Sequence, residues 1–386
     1  MVSASMMAPQ FLRMPLGSES SRSGKVLVVI QLSGGNDGLN TVIPYGDDAY
    51  YRWRPTLGLP RSGLLRLNDH LALNSALQPL QDLFNQGQMA IVNEVGYPNP
   101  NRSHFRSMDI WQSGSDADNY VQTGWLGRYL DSNCPGCDIP YHAIELGDNL
   151  SLALQGKSRD GFAMRDAQKL VRATENRFLQ KLGDQYNEST SKDDDLGYLY
   201  KTMIEVQESA QYLSEKAKSD RSKEKYPIHT FGKGLRQISE LILAESSTKV
   251  YYISLPGFDT HVNQISRQAR LLKIYADGVS AFIRDLKRNK LFEEIAIMTF
   301  SEFGRRVGEN GSRGTDHGAA NNLFIMGGNL YRPGIYNDPP NLGQLDDGDL
   351  RHQVDFRDVY ANVLENWLDS NAKEILNIDQ PKFRVL

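Results

Sequence analysis

Several short stretches of this chain carry the residue types of metal or hydrolytic chemistry, and each follows an apolar run. Ser33-Gly34-Gly35-Asn36-Asp37-Gly38 follows Lys25 to Leu32. The segment GYPNPNRSHFR, with Arg102, Ser103, His104 and Arg106, follows Met89 to Val95. Pro256-Gly257-Phe258-Asp259-Thr260-His261 follows Lys249 to Leu255. Ser301-Glu302-Phe303-Gly304-Arg305-Arg306 follows Glu294 to Phe300, and a glycine-rich loop, Gly308 to Gly318, holds Asp316 and His317.

These residues suit a site for a divalent ion and a tetrahedral anion. Asp37 fits a metal carboxylate at a strand end; its glycines also fit a plain strand-to-helix turn. A phosphate-cradling loop is a poor fit, because no Gly-Lys-Ser/Thr follows. Asp259 and His261 are two apart, so an extended segment points both into one site. Glu302 reads either as a site acid or as a carboxylate in a helix first turn. His317, among Gly, Asp and Arg, is harder to explain by packing than as a ligand, although a packed loop histidine is the alternative. Ser103 begins SHFRSMDIWQ as a helix N-cap. The same position suits a serine activated by a metal or facing an anion. Arg102, Arg106, Arg305, Arg306 and Arg313 offer charge-assisted contacts to such an anion, or face solvent as loop arginines usually do.

The elements that position them alternate. Lys25 to Leu32 is a continuous Val/Ile/Leu run, as in a strand buried on both faces. Met89 to Val95, Ile139 to Leu146, Lys249 to Leu255, Glu294 to Phe300 and Asn322 to Met326 read alike. Between them lie helical stripes: Phe231, Leu235, Ile238 and Leu241 in one, and Leu272, Tyr275, Val279, Phe282, Ile283 and Leu286 in another. Strands alternating with helices predict a mostly parallel sheet covered on both faces, a three-layer α/β/α sandwich. Ligands in such sheets bind beyond the carboxyl ends of the strands, where the polar stretches fall. From about 165 to 226 the texture changes to two helical stretches around NESTSKDDD. The second, with Leu196, Leu199, Met203, Val206, Ala210, Leu213 and Ala217 at three- and four-residue steps, predicts a helical hairpin capping the sheet, or a surface for a protein partner.

Composition removes several classes. With 43 Lys+Arg against 47 Asp+Glu among 386 residues, the net charge is −4, and a global positive field for nucleic acid is absent. A hydrophobic fraction of 40 % with 23 % charged residues excludes wholesale disorder. Two Cys cannot build a four-thiolate zinc site, and Cys134-Pro-Gly-Cys137 lacks a thioredoxin-like context. That pair reads as a short-range disulfide or an idle loop, with a cytoplasmic redox role a distant alternative. The longest apolar runs, such as Val26 to Ile30, are too short to span a bilayer. Met1 to Gly17 is small, apolar and free of acids, which suits a frayed terminus or the back half of an export signal.

In order along the chain stand LSGGNDGLNTVIPY, YYRWRPTL, YPNPNRSHFRSMDIWQSG, GWLGRYLD, FDTH, SEFGRR, GTDHG and VDFRDVYANVLENWL. Together they resemble the bacterial family catalogued as domain of unknown function 1501, which is similar in fold to the alkaline phosphatase and sulfatase superfamily. The resemblance implies residues 25–386 as one alkaline phosphatase-like domain with a helical insertion. It also implies that residues 1–24 are the remnant of a twin-arginine export signal. A periplasmic or extracellular location follows, or a cytoplasmic one if the start is as written.

The superfamily further implies a metal site at the sheet's carboxyl edge. Asp37 would match its first-strand Asp, Asp259 and His261 a later Asp/His pair at shorter spacing, and His317 the late His. Glu302 sits where the superfamily has an Asp-His pair, but Phe303 follows it instead of His. Ser103 is the nearest match to the nucleophile. The expectation is a metal-dependent hydrolase of phosphate or sulfate esters, on a small-molecule or polymer substrate. Ser103 or water attacks, Arg102 or Arg305 stabilises the developing charge, and zinc or manganese is favoured over calcium. The rival expectation is a catalytically degenerate exported protein for binding or surface assembly.

Overall fold

The first strand shows why the chain layers as it does. In β1 (Val26–Ser33) every side chain from Leu27 to Ile30 is fully buried. Leu27 and Val29 enter one core, and Val28 and Ile30 enter another on the opposite face. A strand apolar on both faces must be covered on both, so helices flank it on either side. The computed structural model describes residues 24–133, 140–166, 169, 171, 206–207, 209–216, 222–378 and 384–386. Cys134, Cys137, the N-terminal segment 1–23 and most of the expected 165–226 insertion lie outside the described residues.

The other main strands are β2 (Met89–Gly96), β3 (Ala143–Leu146), β4 (Phe162–Met164), β5 (Val250–Pro256), β6 (Ile295–Phe300) and β7 (Asn321–Gly327). With the short β8 (Gly334–Ile335) and β9 (Val354–Asp355) they form one nine-stranded sheet. Its order is β8-β2-β7-β6-β1-β5-β3-β4, with β9 paired to the end of β2. β1 pairs in parallel with β5 and β6, and β3 with β4 and β5. β7 is antiparallel to both neighbours. Its carboxyl end therefore lies at the opposite edge, and its entry, not its exit, faces the loops that carry the polar residues.

One core packs α3 (Thr230–Leu243) and α4 (Gln264–Arg288) against the sheet; the other packs α1 (His104–Ser113), α2 (Trp125–Asn133) and α5 (Phe356–Asn366). The α4 stripe from Leu272 to Leu286 is buried as its spacing requires. The helix also begins further upstream than that stripe, and Gln264 and Gln268 of its first turns are buried too. In the insertion, residues 209–216 are helical, with Ala210 and Leu213 fully buried. The strand expected over Ile139 to Leu146 is shorter: Pro140–His142 form a 3₁₀ turn before β3. Among the described residues no helix is long and apolar enough to cross a membrane.

Candidate metal centre

β1 leaves the sheet through Gly34 (φ 114°) and Gly35 (φ 71°), both in the left-handed region. A Cβ on Gly34 would stand 2.5 Å from the backbone N of Asp259, and one on Gly35 2.1 Å from the Phe303 ring. Only glycine lets the exits of β1, β5 and β6 approach this closely. The glycine-rich loop then folds back along 304–306: Arg306 N–H donates to Asp316 O at 3.0 Å, and Gly318 N–H to Gly304 O at 2.9 Å. His317 is thereby laid beside Arg305, its partner in an isolated β-bridge.

Three imidazoles converge on one carboxylate there. His317 Nε2 lies 3.2 Å and His261 Nε2 3.0 Å from Asp259 Oδ1. His104 Nε2 lies 3.6 Å from Asp259 Oδ2. The Nε2 atoms of His261 and His317 are 2.9 Å apart. In each ring Nδ1 faces an acceptor: Glu302 Oε1 for His104 (3.1 Å), Asp316 Oδ1 for His261 (3.1 Å) and the Arg102 carbonyl for His317 (2.8 Å). With Nδ1 carrying the proton, each Nε2 keeps its lone pair for the centre. Ligand atoms of His104, Asp259 and His317 all lie within 4.8 Å of one another.

At Asp259 and His317 the electrostatics suit a bound cation. Burial works to raise the Asp259 pKa, but the Arg305 guanidinium and the neighbouring imidazoles override it and hold the carboxyl at about 2. Burial pushes His317 below the usual imidazole value, against the bond to the Arg102 carbonyl, so it favours the neutral form that metals need. The bond to Glu302 raises His104, against burial. An Nε2-rich set with one carboxylate, and a hydrogen-bond acceptor behind each ring, could hold a divalent ion.

The sequence-selected residues divide. Asp259, His261 and His317 come together. Asp37 does not join them: it is buried against Arg54, which reaches its two oxygens at 2.6 and 3.0 Å, and Gln264 Nε2 also donates to it. Glu302, also fully buried, accepts from Gly34 N–H at 2.7 Å and faces His104. Arg305 is a buried strut whose donors go to the carbonyls of Gly34, Gly35, Phe258 and Thr315 and to Asp259 Oδ1 (2.8 Å). Arg102 pairs with Asp347 and Asp349, and its side chain lines a cavity of about 700 Å³ with Tyr97, Ala319, Asp349 and His352. Arg306 pairs with Asp347, and Arg106 donates to the carbonyls of Ala117 and Asn119. Ser103 is the exposed N-cap of α1 and its hydroxyl makes no capping bond.

His104 stands in the polar stretch after β2, and no local spacing marks it as a ligand. Arg54 and Gln264 hold Asp37 from positions distant in sequence.

The sequence model of one family, "Protein of unknown function (DUF1501)", matches residues 24–385. No curated protein matches the chain at a significant level. Among solved structures it is similar to the lipoteichoic acid synthase LtaP from Listeria monocytogenes (TM-score 0.36, 11 % identity, covering 81 % of this chain and 67 % of that one). It is also similar to the C-terminal periplasmic domain of EcEptC from Escherichia coli, in complex with Zn (TM-score 0.36, 11 % identity, 79 % and 74 %). A third is the PsFucS1 sulfatase from Pseudoalteromonas sp. (TM-score 0.39, 12 % identity, 94 % and 73 %). Similarity at this level carries nothing about chemistry.

Proposed function

We propose that this chain, which belongs to the DUF1501 family of proteins of unknown function, is an exported metal-dependent hydrolase of phosphate or sulfate esters. The observation that carries the reading is the convergence of three imidazole Nε2 atoms on Asp259, each ring backed at Nδ1. His104, Asp259 and His317 would hold the ion, with His261 beside them. The imidazole-rich set favours zinc over manganese, and both over calcium. A divalent ion bound there would polarise an ester oxygen and ease deprotonation of a nucleophile.

The chain's own residues do the rest. Asp259 is ionised at neutral pH, and Arg305 fixes it in place and compensates its charge. Arg305 thus acts through Asp259, since its donors are already spent on carbonyls. In this reading the Ser103 hydroxyl, next to His104 in sequence and uncommitted as a cap, attacks the phosphorus or sulfur and the ester alcohol leaves. The position of Ser103 before the first turn of α1 lets backbone N–H groups meet an anion. Arg102 presents its guanidinium at the cavity beside it. Export is supported by the acid-free N-terminal stretch. The paired state of Arg102 and Arg306 and the Phe303 substitution favour a second reading, a degenerate binding protein.

Metal analysis and a panel of aryl phosphate and sulfate esters test the proposal. We expect about one zinc per purified chain, lost in Asp259→Ala and His317→Ala, and ester turnover abolished by chelator. A metal-free wild type overturns the centre; a metal-loaded but inert protein favours the second reading.

A further inference from the structure

Glu302 stands beside the cluster without pointing its carboxylate into it. Its side chain is fully buried, whereas that of Asp259 is 48 % exposed. Its Oε1 is doubly engaged, by Gly34 N–H at 2.7 Å and by His104 Nδ1 at 3.1 Å. Its Oε2 faces Ser301 Oγ at 3.4 Å. That hydroxyl is itself anchored, donating to Leu32 O at 2.6 Å and accepting from Asn36 N–H at 2.8 Å.

The His104 ring therefore stands between two carboxylates, Glu302 on its Nδ1 side and Asp259 on its Nε2 side. An imidazole that gives its Nε2 lone pair to an ion directs its Nδ1–H away from that ion. Glu302 is on the far side of the ring from whatever Nε2 binds. Phe303 completes the wall, with its ring centroid 4.9 Å from that of His104 and 4.8 Å from that of His317.

We propose that Glu302 is a positioning residue and not a ligand: it fixes the tautomer and orientation of His104 so that Nε2 faces the centre. The proposal rests on the metal-centre reading above. Glu302 and Phe303 then work together, the acid holding one ring by hydrogen bond and the aromatic packing against two. The same carboxylate ties His104 to the β1 exit through Gly34, so α1 and β1 are registered to each other at the centre. A carboxylate behind a ligating His raises the basicity of that ligand, and its loss costs about 10–100-fold in metal affinity.

Cobalt(II) serves as the probe, read by its visible absorption and by competition titration, with ¹⁵N NMR of the histidine side chains in the metal-free protein. Glu302→Gln keeps an acceptor for both Gly34 N–H and His104 Nδ1–H, and its folding is checked by circular dichroism. We expect the wild-type band positions and coordination number with affinity down about 10-fold or more, and the His104 Nδ1–H tautomer retained. Glu302→Ala, checked for folding by circular dichroism, shifts His104 toward a tautomer mixture without metal present. A Glu302→Gln spectrum that has lost a ligand overturns the proposal and makes Glu302 a ligand. An unchanged His104 tautomer in Glu302→Ala also overturns it. Failure of the wild type itself to bind cobalt is a different result, and it removes the metal-centre reading on which this one stands.

Discussion

Two aspartates, Asp37 and Asp259, leave the carboxyl ends of adjacent parallel strands, and only their surroundings separate them. Asp259 is half exposed among three imidazoles. Asp37 has no exposed side-chain surface, and it receives both arms of Arg54, whose own side chain is equally buried. Arg54 also donates to Asn40 Oδ1 and to the carbonyls of Arg306 and Val307, so it locks the loop after β1 onto the loop after β6. Removing one partner of a buried pair strands the other charge, which costs about 3–5 kcal/mol. We expect Asp37→Asn to lose stability of that order in urea denaturation while zinc per chain stays at the wild-type ratio. Metal loss from a variant as stable as wild type would make Asp37 a ligand after all. Residue type at a strand end thus announced acids and imidazoles but not their roles. Asp259, His261 and His317 were legible because two lie in one tripeptide and the third is hard to explain by packing. His104 was not, because its partners Glu302 and Asp259 are contributed by other loops, and nothing local to SHFR reports that convergence.

At the scale of elements, the centre exists because three strand exits meet, and the tightest approach is at Gly34. A side chain there incurs two costs. The backbone sits at φ 114°, which L-residues rarely adopt, and the added Cβ falls 2.5 Å from the Asp259 backbone N. Neither can be relieved by rotating a side chain. Gly34→Ala should therefore lose more than about 2 kcal/mol and shift Asp259 away from the histidines. Gly311→Ala, whose Cβ meets nothing within 4 Å, should stay within about 0.5 kcal/mol of wild type. Paired denaturation curves check both, and equal losses would contradict the argument. The layering that brings these exits together was legible in the apolar runs, since strands buried on both faces demand helices on both. The reversal of β7 was not, because an apolar run between covered faces reads the same in either direction. Its consequence is functional: the chain that leaves β6 must return to the same edge to start β7, and this return carries His317 into the centre.

At the scale of the molecule, the fold holds a buried acid that links its stability to pH away from the histidine cluster. Glu94 lies in β2 at φ 49°, where the register against β7 slips between Asn321 and Leu323. Its carboxyl accepts from Asn341 N–H at 3.3 Å and from Gln353 Nε2, and its carbonyl from Gln353 N–H at 2.8 Å. One residue thereby fastens the edge of the sheet to the long segment between β8 and β9, which also supplies Asp349 and His352 to the cavity beside Arg102. Burial raises this carboxyl to about 7, against both hydrogen bonds, from an ordinary value of 4.5. The folded state binds the proton more tightly than the unfolded chain, so the group favours folding most below about pH 4.5. That advantage falls as pH rises through 7 and is flat above it. Glu94→Gln is neutral at every pH and keeps an acceptor. It should match wild type near pH 4.5 and exceed it by up to about 3 kcal/mol at pH 8. Melting temperatures of the two proteins across that range check the sign, because titrations common to both cancel in the difference. A gap that stays constant with pH would show that Glu94 is ionised in the folded protein, and that the strap between β8 and β9 is held by a charge.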